Sequence, residues 1–295
     1  MTPGPTPVPE QIALAMAAPI IHHRTKEYIQ LHEQVRENLK KIFQTKNDIV
    51  IFASSGTGAM EASVSNILSD NDRALVVEAG KFGERFSELV SRFGAQAIVL
   101  KKEYGEFVSP DEIEEYVKKY NPKAIYMQAC ETSTGVYHPI DEIGKILKEK
   151  YPEIMFVVDG ITAVGCIDIK TDDWGIDILL TGSQKAFMLP PGLAMASVSE
   201  KAKKVAAQNK NKRYYFDILG ELNAQAGHFT PPVTLVLGLN AAVNMILEEG
   251  LENVFKRHQF LAKATQEAVK SMGLELFAKR PSLSLTAVKS PHGID

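Results

Sequence analysis

The chain has 295 residues, of which 45% are hydrophobic and 23% are charged, a composition typical of a globular protein with one large domain or two domains. Its formal net charge of -3 argues against nucleic acid or an anionic membrane as a partner. The apolar runs are all shorter than the roughly 18 residues that a membrane span requires, so the sequence predicts no membrane partner.

The first residues, MTPGPTPVPEQ, have neither the basic start nor the apolar core of a signal peptide. Their alternating prolines instead predict an extended arm, residues 1–15, that lies over another part of the protein. The two cysteines, Cys130 and Cys166, match no zinc pattern and are too few for a disulfide framework. We therefore expect a reducing, cytoplasmic location and no metal.

Short apolar runs alternate with amphipathic helical patterns from about residue 49 to residue 230. The runs predict strands at 48–53, 73–79, 96–100, 124–129, 154–159, 177–182 and 193–198. One intervening helix has a clear start, because Ser109 and Glu112 form a capping box around Pro110. This alternation predicts an α/β domain, residues 16–245, with a mostly parallel sheet covered by helices on both faces.

The pattern changes after residue 230. Pro231-Pro232 precede one long helical run, a second helical run follows, and the apolar run LSLTAV (283–288) then predicts a strand. We interpret residues 246–295 as the start of a smaller α+β domain. A single strand has too few partners to bury its faces, so we expect this C-terminal domain to be incomplete.

Residues suited to chemistry follow the predicted strands, where ligands gather in a parallel sheet. These segments are Ser54–Gly58, Gly80-Lys81-Phe82, Glu131-Thr132-Ser133, Asp159 and Ser183-Gln184-Lys185. The first is a glycine-rich turn before a helix, which suits a phosphate group. It also resembles a dinucleotide-binding turn, but Glu61 stands where that motif needs its third glycine, so a nicotinamide dehydrogenase is the weaker alternative.

Lys185 and Asp159 have ordinary explanations when each is read alone. A single lysine beside an apolar run is usually a snorkelling side chain, and an aspartate after a strand often caps a turn. Together with the phosphate turn, however, they form the set that pyridoxal phosphate needs: a phosphate site, a carboxylate for the ring nitrogen and an amine for the aldehyde.

Several segments then match a known family. SSGTGAMEA, ETSTGVYHPI, VVDGITAVG and DILLTGSQKAFMLPPG resemble class V aminotransferases, which are fold-type I pyridoxal-phosphate enzymes. The resemblance covers nearly the whole chain and is strongest to alanine–glyoxylate and serine–glyoxylate (serine–pyruvate) aminotransferases. It implies transfer of an amino group from a small amino acid, alanine or serine, to a small 2-oxo acid such as glyoxylate or pyruvate.

The resemblance also implies roles for individual residues. Lys185 matches the lysine that forms a Schiff base with the cofactor and acts as general base, and Asp159 matches the partner of the ring nitrogen. The other matched cofactor-binding positions are Ser55, Gly56, Thr57, Phe82, Thr132, Ile161, Gln184 and Thr230. Thr230 corresponds to a residue that reaches the neighbouring subunit's phosphate, which implies a homodimer with shared sites. Gly4 corresponds to a substrate-facing position in the arm.

Two departures from the family pattern qualify the match. Gly227 stands where some relatives have a phosphate-binding tyrosine, and the family's substrate-binding arginine would lie beyond residue 295. Arg24 and Arg213 are poor substitutes for that arginine.

Three alternatives therefore stay open within the same fold. They are a 2-aminoethylphosphonate–pyruvate aminotransferase, a cysteine desulfurase or lyase, and a cofactor-binding protein without full activity. Gln184 argues against the desulfurases, which usually have histidine before the lysine.

Overall fold

The computed structural model describes residues 2–291 and 293. Its main sheet has the seven strands β1 (Asp48–Phe52), β2 (Arg73–Glu78), β3 (Gln96–Lys101), β4 (Ala124–Gln128), β7 (Met155–Asp159), β8 (Ile178–Gly182) and β9 (Ala194–Val198). A separate hairpin consists of β5 (Cys130–Glu131) and β6 (Val136–Tyr137). The seven strands predicted from the apolar runs are all present, and each begins and ends within one residue of its predicted bounds.

The strands of the main sheet lie in the order β1-β9-β8-β7-β4-β2-β3. Strands β3, β2, β4, β7 and β8 are mutually parallel, whereas β9 is antiparallel to both of its neighbours, β8 and β1. Two reversals restore the direction, so β1 runs with the parallel set. The carboxyl ends of every main-sheet strand except β9 therefore lie at one edge, and the predicted mostly parallel sheet is confirmed.

Helices cover both faces of this sheet. They are α1 (Glu10–Met16), α2 (Lys26–Phe43), α3 (Gly56–Ile67), α4 (Lys81–Arg92), α5 (Pro110–Tyr120), α6 (Ile140–Lys150), α7 (Glu200–Gln208), α8 (Ile218–Asn223), α9 (Val233–Glu249) and α10 (Leu251–Ser271). The predicted capping box starts α5: Ser109 Oγ accepts from the Glu112 amide, and the Glu112 carboxylate accepts from the Ser109 amide at 2.8 Å.

Two apolar cores lie on opposite faces of the sheet. One contains buried residues of α3, α4, α7 and α8, such as Met60 and Phe86; the other contains buried residues of α2, α5, α6 and α9, such as Leu39 and Val243. Strands β4, β7, β8 and β9 are buried along their whole length. Burial on both faces explains why these strands are continuously apolar rather than alternating.

Helices α9 and α10 meet at Gly250, whose φ of +82° lets the chain turn sharply between them. The two helices are bent by 85° relative to each other. Among the described residues, no single helix is long and apolar enough to cross a membrane, and only this bent pair reaches that length and composition together.

The structure differs from the sequence predictions at both ends of the chain. Within the predicted arm, residues Glu10–Met16 are helical and bury Ile12, because an amphipathic turn can form once the prolines end. The predicted strand at 283–288 was wrong: in this segment the described backbone makes only an isolated bridge between Leu276 and Val288. A strand needs a hydrogen-bonded neighbour along its length, and here that neighbour is missing from the described residues.

The predicted boundary between residues 245 and 246 falls inside helix α9. The division into an arm, a large domain and a small domain stays a prediction.

Candidate active site

Lys185 lies in the loop that follows β8, at the carboxyl edge of the sheet. Its Nζ donates a hydrogen bond to the carbonyl oxygen of Pro3 at 3.3 Å. Burial lowers the pKa of the amine, and the nearby negative charge of Asp159 only partly opposes this effect. The lysine is therefore a half-buried amine with an increased tendency to lose its proton, which is what a nucleophile or base requires.

Asp159 ends strand β7 in the middle of the sheet, between Gln128 of β4 and Leu180 of β8. The residue is only 4% exposed, and its Oδ1 accepts a hydrogen bond from the amide of Ile161 at 2.9 Å. Burial raises the pKa of this carboxyl to about 7, and the charge of Arg85 pulls it the other way. Because its pKa is raised, this carboxyl is partly protonated near neutral pH, and a cation that binds beside it would stabilise the anion.

The turn after β1 leads directly into helix α3. Ser55 is the N-cap residue, is exposed, and forms no side-chain bond to the helix, so its hydroxyl is free to contact a ligand. A Cβ on Gly56 would lie 2.5 Å from Cδ1 of Ile161, so glycine allows Ile161 to pack against the start of the helix. The free amides and positive end of α3 suit an anion.

Two further matched residues lie near this edge. Thr132 Oγ1 and Thr162 Oγ1 are hydrogen-bonded at 3.0 Å, which joins the loop after β5 to the loop after β7. Gln184, beside the lysine, has a buried Oε1 that finds no hydrogen-bond partner among the described residues. This oxygen is a hydrogen-bond acceptor, so a bound group would have to supply a donor to satisfy it.

Phe82 is held by Glu131, a residue that the sequence analysis did not assign to the site. The Glu131 side chain is fully buried and accepts hydrogen bonds from the amides of Phe82 and Gly83, each at 3.1 Å. It also accepts from Ser133 Oγ at 2.6 Å. Burial raises the pKa of Glu131, and these three donors together with the amide of Ser133 oppose that rise. This carboxyl fastens the first turn of α4, and with it the Phe82 ring, to strand β5.

The N-terminal arm covers the lysine. Gly4 has a φ of +152°, and a Cβ on it would lie 2.9 Å from both Cδ and Nζ of Lys185. The amide of Thr6 donates to the carbonyl oxygen of Gln184 at 3.1 Å. The arm thus contacts the lysine loop directly, as predicted for a segment laid over another part of the protein.

Thr230 lies elsewhere in the same chain. It is exposed and lines a small cavity with Phe52, Ala53 and Tyr215, near the end of β1. Lys185 is not among the residues that line this cavity, and the predicted contact of Thr230 with a neighbouring subunit stays a prediction.

A cavity of about 320 Å³ lies between Lys185, residues Pro3 and Thr6 of the arm, and helices α9 and α10. Its lining is mostly apolar and includes Met188, Met245 and Leu285. Arg257 and Glu249 also line it and form a two-bonded ion pair, with Nε–Oε1 at 2.6 Å and Nη2–Oε2 at 2.8 Å. The lysine therefore faces open space large enough for a small substrate.

Sequence reasoning missed three contributors: Glu131, Thr162 and Arg85. Glu131 was noted only as part of a polar segment after a strand, and its burial depends on α4 folding over it. Arg85 could have been suspected because it lies three residues after Phe82, on the same face of a helix. Thr162 carried no local signal that distinguishes it from a turn residue.

Comparison with known proteins agrees with this arrangement. The family model described as aminotransferase class-V matches residues 11–292. An uncharacterized aminotransferase of Methanocaldococcus jannaschii is 43% identical over 100% of this chain and 78% of its own length. The L-aspartate–glyoxylate aminotransferase of Paracoccus denitrificans is 38% identical, over 99% of this chain and 76% of its own. The crystal structure of alanine–glyoxylate aminotransferase from Nostoc sp. has a TM-score of 0.95 at 29% identity, and covers 100% of this chain and 80% of its own.

The residues at the sheet edge fit pyridoxal phosphate. Lys185 offers an amine of lowered pKa, and Asp159 offers a buried carboxyl. The side-chain NH2 of Gln184 could donate to a phosphate, whereas its buried Oε1 is an acceptor and could not. The open start of α3 offers free amides and the Ser55 hydroxyl. An aldehyde, a ring nitrogen and a phosphate need these groups.

Proposed function

The chain belongs to the class V aminotransferase family, whose cofactor is pyridoxal phosphate, and on this premise we propose that it moves an amino group from a small amino acid to a small 2-oxo acid. Alanine or serine is the proposed donor, and glyoxylate or pyruvate the proposed acceptor. The observation that carries the proposal is the pairing of the half-buried Lys185 amine with the buried Asp159 carboxyl at one sheet edge.

When bound, the cofactor supplies a reactive aldehyde and a ring that accepts electrons from the substrate's α-carbon. Lys185 holds the cofactor through its Nζ, and after release this amine removes the proton from the substrate's α-carbon and returns one later. Burial favours the unprotonated amine that both tasks need. The Pro3 carbonyl, at 3.3 Å, keeps Nζ oriented.

Asp159 binds the ring nitrogen and stabilises its positive charge. The two groups stabilise each other, because the buried carboxyl needs a cation and the ring nitrogen needs an anion to stay protonated. Thr132 would contact the ring's oxygen, and Phe82 and Ile161 would pack against the ring. Ser55, Gly56, Thr57 and Gln184 bind the phosphate.

We also propose a homodimer in which Thr230 completes the phosphate site of the neighbouring subunit, because Thr230 is exposed and lines a cavity whose lining does not include Lys185. Gly4 faces the substrate from the arm. The free thiols of Cys130 and Cys166 are both buried, which accords with a cytoplasmic location.

The proposed acceptor is supported by the names of two relatives that share glyoxylate but differ in the donor. Aspartate is named for the Paracoccus denitrificans protein and alanine for the Nostoc protein. A panel of alanine, serine, aspartate and 2-aminoethylphosphonate as donors with glyoxylate, and of the last three with pyruvate, tests this choice; alanine with pyruvate is left out because that reaction only regenerates its own reactants. The proposal is supported if kcat/KM is highest for alanine or serine with glyoxylate. It is contradicted if another donor gives the highest kcat/KM.

The assignment of Lys185 has a direct chemical test. The purified protein is saturated with pyridoxal phosphate, reduced with borohydride and digested, and the labelled peptide is sequenced. We expect the label on Lys185 and its loss in Lys185→Ala, while Lys263→Ala, an exposed lysine of α10, keeps it. A protein that takes up no cofactor, or is labelled at another lysine, contradicts the proposed site.

A further inference from the structure

Arg85 connects two of the proposed cofactor-binding residues from different helices. It lies on α4, one turn after Phe82, and its guanidinium carbon is 4.8 Å from the centroid of the Phe82 ring. Its Nη1 donates a hydrogen bond to Oγ1 of Thr57, at the start of α3, at 3.0 Å. The guanidinium is thereby fixed beside the turn that leads into α3.

The charge of Arg85 lacks a direct counter-ion. Among the residues that the structure describes, it forms no salt bridge, whereas Arg92 of the same helix pairs with Glu88 at 2.7 Å. Its positive charge, like that of Lys185, lowers the pKa of Asp159, which places it near the site. A part-buried guanidinium with several free N–H groups is stabilised when an anion binds beside it.

We propose that Arg85 binds the phosphate group of the cofactor, together with Ser55 and the first amides of α3; this inference rests on the proposed function. The planar guanidinium can donate two parallel hydrogen bonds to a phosphate. Thr57 accepts from Arg85 and so keeps its own O–H to donate to the same anion. The phosphate site then has a full positive charge in addition to the partial charge of the helix.

The test compares two ligands, one with and one without the phosphate group, so that a loss of affinity can be assigned to that group. Pyridoxamine 5'-phosphate and pyridoxamine differ only in that group, and neither has the aldehyde that would attach to Lys185. Their dissociation constants are measured by calorimetry for the wild type, Arg85→Met and the matched control Arg92→Met. Because a charge-assisted hydrogen bond is lost, we expect Arg85→Met to weaken binding of the phosphate-bearing compound roughly 10- to 100-fold.

Arg85→Met should weaken binding of pyridoxamine far less than binding of pyridoxamine 5'-phosphate, and Arg92→Met should match the wild type for both compounds. Circular dichroism verifies folding; if Arg85→Met does not fold, Arg85→Gln, which can still bond to Thr57 but has no charge, is measured with the same expectation. An equal loss for both compounds, or no loss for either, overturns the role of Arg85. A wild type that binds neither compound instead overturns the proposed function.

Discussion

The Lys185 amine donates a hydrogen bond to the carbonyl oxygen of Pro3 at 3.3 Å, although 182 positions separate the two residues in the chain. This contact places the N-terminal arm against the residue proposed to carry the chemistry. The arm and the lysine loop are also joined by the bond from the Thr6 amide to the Gln184 carbonyl. The position of the amine therefore depends on residues 3–6, which belong to no strand or helix.

Gly4→Ala should displace the lysine without unfolding the protein. The new Cβ would lie 2.9 Å from Lys185 Cδ and Nζ, and alanine rarely adopts a φ of +152°. Because small displacements of reacting atoms have large effects, we expect cofactor attachment to slow by about 10- to 100-fold. The rate is followed by the absorbance of the attached cofactor. Glu10→Ala, exposed in α1, is the control, and an unchanged rate in Gly4→Ala would contradict the proposed coupling.

Asp159→Asn should change how the stability of the cofactor-free protein depends on pH. The pKa of Asp159 is raised from 3.8 to about 7 in the folded state, so the folded protein holds this proton more tightly than the unfolded chain. The contribution of this proton to the free energy of unfolding is therefore lost as pH rises through about 7. Between pH 5 and pH 8 we expect the wild type to lose roughly 2 to 3 kcal/mol more than Asp159→Asn in urea unfolding.

The control for this experiment is Asp173→Asn, which changes an exposed aspartate and should follow the wild type. Saturating pyridoxal phosphate should reduce the difference between wild type and Asp159→Asn at pH 8, because a bound cation removes the penalty. Identical pH dependence in wild type and Asp159→Asn would show that the carboxyl is not buried as described.

Glu131→Ala should destabilise the protein. The substitution leaves the amides of Phe82 and Gly83 without their acceptor and opens a void beside β5. Because hydrogen bonds to a buried charged group are lost, we expect the free energy of unfolding to fall by about 3 kcal/mol. Glu115→Ala, an exposed residue of α5, should change it by under about 0.5 kcal/mol. A neutral Glu131→Ala would mean that α4 does not depend on this carboxyl.

Gly56→Ala should weaken cofactor binding, and a second substitution should restore it. The added Cβ would lie 2.5 Å from Ile161 Cδ1 and push that side chain towards the proposed position of the ring. We expect the dissociation constant of pyridoxamine 5'-phosphate to rise by about 10-fold, which corresponds to about 1.4 kcal/mol. Ile161→Val removes Cδ1, so the double variant should recover most of the affinity. Additive losses would argue against the contact as the cause.

The strands and most helices could be predicted because their signals are local. Strands β4, β7 and β8 are continuous apolar runs, and the start of α5 is set by Ser109, Pro110 and Glu112 within four residues. The prediction failed at 283–288, where the apolar pattern alone could not show whether a neighbouring strand is present to pair with it.

In the proposed site, too, some features could be predicted from local sequence and others depend on distant parts of the chain. Lys185, Asp159 and the Ser55–Thr57 turn could be proposed from the sequence because each lies at or just after the end of a strand, and the ends of parallel strands meet at one edge. The direction of β1 could not be predicted, since it depends on the antiparallel strand β9 inserted between β1 and β8.

The sequence by itself determined the order of strands and helices and the residue types at the strand ends, because hydrophobic periodicity, caps and turns act over a few residues. Only the tertiary structure decided that Glu131 is buried under α4, that Arg85 reaches Thr57 and that Pro3 lies over Lys185. These contacts join residues 28 to 182 positions apart, so their energies depend on how the helices and the arm pack on the finished sheet.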